Sequence, residues 1–103
     1  MTPNVAKALL VSKVLVADGM MSEDERAFLS ALMERLGLTA DERRRVIDLE
    51  GWDAAEPVIR ALPVDERRAM VAMLIDAAGA DGRMSGKELA VVQQVAAALG
   101  VDA

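Results

Sequence analysis

One unit of this chain occurs twice. Asp18-Gly19-Met20-Met21-Ser22-Glu23-Asp24-Glu25 returns as Asp81-Gly82-Arg83-Met84-Ser85-Gly86-Lys87-Glu88, displaced by 63 residues. At that offset the Asp, the Gly, the second Met, the Ser and the final Glu are identical. The flanks echo as well: Ala17 matches Ala80, and Leu36-Gly37-Leu38 matches Leu99-Gly100-Val101. Each copy reads as an apolar helix, an Asp-Gly turn, a Ser-x-x-Glu helix start, an amphipathic helix and a Leu-Gly stop. A repeat of this length constrains the fold more than any single residue does. It predicts two pseudo-symmetric helical hairpins, over about 3–38 and 63–103, joined by a connector over 39–62. Together they make one all-α domain of about six helices spanning 1–103.

Local signals place the helices. Thr2 and Pro3 read as N-cap and first helical position of a helix running to about Asp18. Between Leu9 and Ala17 only Ser12 and Lys13 are polar, so this helix is expected at the centre. Ser22 with Glu25 forms a capping box opening a helix of about 23–36. Thr39 with Glu42 forms another, opening about 40–49. Asp53 reads as the cap of a short helix ending near Ala61, with Pro57 tolerated in its first turns. Residues 64–78 make the next helix. Its apolar run from Ala69 to Ile75 suggests a second central element. Ser85 caps the last helix, about 86–99, with Leu89, Val92, Val95 and Leu99 expected inward. Three copies of Asp-Glu-Arg, at 24–26, 41–43 and 65–67, put carboxylates at helix starts, where the dipole favours them.

Composition excludes several functions. With no Cys and no His, the chain lacks disulfides, thiol or imidazole nucleophiles and the usual zinc ligands. Ser12, Ser22, Ser30 and Ser85 have no imidazole to activate them, so no enzyme is expected and a small-molecule substrate is not indicated. The net charge of −5 opposes sequence-independent nucleic-acid binding. Arg43-Arg44-Arg45 reads as a solvated helix edge against this acidity. Met1-Thr2-Pro3-Asn4 carries no positively charged signal region. Lys7, Lys13, Asp76 and Asp81 interrupt every long apolar run, so no membrane span is predicted and a cytoplasmic protein is expected. Trp52 reads as a latch over the core or as an anchor for a partner.

The pattern apolar helix, Ala-Asp-Gly-x-Met-Ser-x-x-Glu, amphipathic helix, Leu-Gly-Leu or Leu-Gly-Val, given twice, resembles the TerB-like family. That family includes the tellurite-resistance protein TerB and the N-terminal region of the DjlA co-chaperones. The resemblance is carried by residues 16–22 with Glu25, by residues 80–85 with Glu88, and by the Leu62-Pro63 lead-in. It implies a compact helical fold and a non-enzymatic module of bacterial stress responses. It also implies a divalent-cation site at Asp18, Glu25, Asp81 and Glu88.

Two readings of those four carboxylates stand together. As turn and capping residues they need no ligand. If the hairpins bring them together, their repulsion calls for a cation or an arginine, and oxygen ligands suit Ca²⁺ or Mg²⁺. An EF-hand fails, because Val14, Val16, Ala77 and Gly79 stand where its first ligands belong. A metal-free alternative is an interaction domain for a protein partner or a second copy. It would use the last helix, where Leu89 replaces Arg26 and widens the apolar surface.

Overall fold

The computed structural model describes residues 1–17, 19, 21–80, 82 and 84–101. Six α-helices run through them: α1 (Pro3–Leu15), α2 (Glu23–Arg35), α3 (Ala40–Ile47), α4 (Ala55–Arg60), α5 (Val64–Ala78) and α6 (Gly86–Ala98), with a 3₁₀ turn at Trp52–Ala54 ahead of α4. There is no strand among the described residues. α2 and α6 correspond residue for residue at the offset of the repeat.

α1 is the centre. Val5, Ala6, Ala8, Leu9, Leu10, Val11, Ser12, Val14 and Leu15 are all buried, on every side of the helix. α1 packs against each of the other five helices and the 3₁₀ turn. Thr2 Oγ1 accepts from the Val5 N–H at its start. The helix ends at Leu15, earlier than the pattern suggested, and Gly19 lies in the turn beyond it with φ +97°.

Both hairpins close with the same hydrogen bonds. Gly37 N–H donates to the Glu34 carbonyl and Leu38 N–H to the Met33 carbonyl; Gly100 and Val101 do likewise with Ala97 and Ala96. These are Schellman stops, with glycine in the left-handed conformation. Each stop is held by the helix that precedes it in its own hairpin. Asn4 Nδ2 donates to the Leu36 carbonyl at 3.3 Å. At the equivalent position Arg67 Nη1 donates to the Leu99 carbonyl at 2.8 Å, while its Nε reaches the Leu62 carbonyl.

The connector latches onto α1. Lys13 Nζ lies 4.0 Å from the centroid of the Trp52 ring and 3.6 Å from Glu56 Oε1. Trp52 is 40% exposed and lies against the Lys13 ammonium of α1, not over the core. Here the local signals misplace some boundaries. α3 stops at Ile47, and Leu49 takes φ +54° in place of a glycine. Asp53 does not cap α4; the 3₁₀ turn, starting after Gly51 at φ +78°, delivers the chain to Ala55. Ile47 is exposed.

α5 is not a second central helix. Met70, Val71, Leu74, Ala77 and Ala78 are buried, but Val64, Arg68, Ala69, Ala72, Ile75 and Asp76 are exposed. It packs on α1, α2 and α6. The connector packs chiefly on α1, and the small side chains of Ala69 and Ala72 keep the apolar exposure modest. Leu89 also departs from expectation. It is 43% exposed, whereas Val92, Val95 and Leu99 are buried.

The two stop-holding residues differ in strength. Charged donors give larger net contributions than neutral ones. Arg67→Ala is expected to lower unfolding free energy by about 2 kcal/mol and Asn4→Ala by about 0.5 kcal/mol. Urea denaturation with an unchanged m-value checks this; equal losses contradict the assignment.

Candidate functional site

Two capping boxes build the site. Ser22 is the N-cap of α2: its Oγ accepts from the Glu25 N–H at 3.1 Å, and its own N–H donates to Glu25 Oε1 at 2.9 Å. Ser85 does the same for α6, accepting from the Glu88 N–H at 3.0 Å and donating to Glu88 Oε1 at 3.1 Å. Each box fixes its carboxylate in the first helical turn and occupies one of its two oxygens.

The fold then removes both carboxylates from water. Glu25 and Glu88 are each 3% exposed. Their second oxygens, Oε2 in both, are buried without a hydrogen-bond partner. The two groups face each other closely enough to act on one another. Burial pushes the Glu88 carboxyl up to about 7, helped by a hydrogen bond and by repulsion from Glu25, and opposed by the Ser85 hydrogen bonds. A hydrogen bond between two carboxyls requires a proton on one of them. With both ionised, neither Oε2 has a donor. A shared proton, a cation or a buried water donating to both oxygens resolves the conflict. The positive ends of α2 and α6 offset part of the repulsion, at about 0.3–1 kcal/mol per helix end.

Of the four carboxylates singled out by the repeat, the structure thus brings Glu25 and Glu88 together. Asp18 and Asp81 lie outside the described residues, as does Met20. No group of three or more His, Cys, Asp or Glu side chains gathers among the described residues. A third buried oxygen without a partner is Ser12 Oγ, 1% exposed on α1. The sequence marked Ser12 as an interruption in an apolar run and as a hydroxyl without an imidazole, and its burial gives it no access to a substrate.

The pair makes stability depend on pH. A carboxyl raised from 4.5 to about 7 binds its proton more tightly in the folded chain than in the unfolded one. Its stabilisation is full below 4.5 and is lost as pH rises through about 7. The loss amounts to roughly 3 kcal/mol. In chelator-treated buffer the melting temperature should fall across this range. Glu88→Gln should flatten that fall and raise stability at pH 8, because its amide keeps the Ser85 contact and donates to Glu25. An unchanged slope in E88Q would exclude the pair as its source.

Comparison with known proteins fits this architecture. No curated protein and no solved structure matches the chain. The family described as Tellurite resistance protein TerB matches residues 4–103. That match takes in both hairpins, the connector and both capping boxes, and the chain belongs to the TerB family.

Proposed function

We propose that this chain is a non-enzymatic binding module in which Glu25 and Glu88 hold a divalent cation. The observation that carries this reading is the pair of buried Oε2 atoms without partners, aligned by boxes that leave those oxygens free. Carboxylate oxygens suit a hard cation such as Ca²⁺ or Mg²⁺. The repeat supplies Asp18 and Asp81 as further carboxylates of the same motif. A bound cation would supply the positive charge that the buried pair lacks, in place of the proton, so binding should strengthen above pH 7. Tellurite is itself an oxyanion, which two carboxylates repel. A contribution to stress responses of the kind the family name denotes would therefore run through cation binding and partners, not through capture of tellurite.

Titration calorimetry at pH 8 with Ca²⁺, Mg²⁺ and Mn²⁺ tests this. Heat and a raised melting temperature are expected for the native chain, with both lost in Glu25→Gln and Glu88→Gln. No heat and no shift for the native chain would leave the carboxylates as a proton-sharing cap.

A second reading rests on the 43% exposure of Leu89 at the position where the first hairpin carries Arg26. It takes α6 as a metal-free surface for a protein partner or a second copy. Leu89→Arg is then expected to cost no more than about 0.5 kcal/mol of stability. Light scattering should show weaker self-association, and an unaltered monomer would remove the second copy.

A further inference from the structure

The repeat contains one helix whose outer stripe is covered and one whose equivalent stripe is open. On α1 the stripe is Val5, Leu9, Ser12 and Lys13. The first three are buried. The connector lies along it, with Glu56 of α4 on the Lys13 ammonium and Trp52 against it. At the offset of the repeat these positions become Arg68, Ala72, Ile75 and Asp76 on α5, and all four are exposed.

A groove of about 390 Å³ runs along this stripe. It is lined by Val64, Arg68, Val71, Ala72 and Ile75, with Gly100 and Val101 at its edge. Val64 and Ile75 are 41% and 39% exposed. From Val64 to Ile75 the groove follows roughly 16 Å of helix, the length of about three turns. The first hairpin shows what covers such a stripe: a short amphipathic helix entered through a 3₁₀ turn, anchored at one end by an ion pair. The charge at that anchor is inverted in the second hairpin. Lys13 takes an acidic partner; Asp76 matches a basic one. Arg68, where α1 has Val5, adds a site for an acidic group at the other end.

We propose that the α5 groove docks a short amphipathic helix of another polypeptide. That helix carries an apolar stripe over Ala72 and Ile75, a basic side chain at Asp76 and an acidic one at Arg68. This surface is separate from the carboxylate pair, and the assignment does not depend on cation binding. The chain's own connector provides the probe. A labelled peptide of residues 52–62 carrying Glu56→Lys is expected to bind the full chain and to shift backbone amides of residues 64–76 and 100–101 in NMR spectra. Asp76→Lys in the protein should weaken this peptide about two- to fivefold, the range of an exposed ion pair. The same variant should bind the peptide with native Glu56 more tightly than the native protein does. Ile75→Asp should abolish binding of both peptides without changing the circular dichroism spectrum. Three results would overturn the proposal. The first is no binding at millimolar peptide. The second is amide shifts on α1, which would mean displacement of the connector. The third is a dimer that Ile75→Asp dissociates, which would put a second copy in the groove.

Discussion

Everything in this fold rests on the burial of a helix that has no polar face. A helix with one apolar stripe is satisfied by a single layer of neighbours. α1 is not: its buried residues point in all directions, and each large aliphatic side chain among them gains about 1.5–3 kcal/mol only if water is excluded from it. One hairpin offers α1 a single partner, α2. The second hairpin supplies α5 and α6, and the connector closes the remaining side with α3, the 3₁₀ turn and α4. The connector is thus structural, the third wall around α1.

That requirement breaks the symmetry of the repeat. Only one of two equivalent helices can lie beneath the connector, and the charges follow. Lys13 has a long stem that sets its ammonium over the Trp52 ring and within reach of Glu56. Its counterpart Asp76 has neither stem nor matching charge, and remains exposed. The stop-holding residues diverge in the same way. Asn4 suffices at the exposed end of α2, whereas Arg67 bridges two carbonyls where the chain enters α5.

The repeat and the local capping signals made the helix order, the caps at Thr2, Ser22, Thr39 and Ser85, and the Leu-Gly stops legible in the sequence, because the caps and stops are local hydrogen-bonding devices with their own residue types. Two kinds of feature were not legible. The connector boundaries depend on a left-handed Leu49 and a 3₁₀ turn, where tertiary packing overrides local preference. The exposure of α5 depends on which helix the connector chooses, and periodicity is silent on that: residues 69–75 read as apolar whether covered or open. Leu89 misled for the same reason, since an apolar residue at a core spacing can still lie on the open flank of its helix.

The site shows most directly how chemistry arises from placement. Among the described residues stand three capping boxes with nearly identical local geometry, at Ser22–Glu25, Thr39–Glu42 and Ser85–Glu88. In each, one glutamate oxygen accepts from the cap N–H and the other is left over. At Thr39–Glu42 the box is exposed, so water can satisfy the second oxygen and the motif stays a helix start. At the other two boxes the hairpins bury the leftover oxygens and turn the glutamates toward each other. No feature of the Ser-x-x-Glu pattern separates the exposed box from the buried ones. Duplication does, because pseudo-symmetry brings equivalent residues of the two hairpins together. It turns two ordinary caps into a buried acidic pair whose leftover oxygens lack a donor.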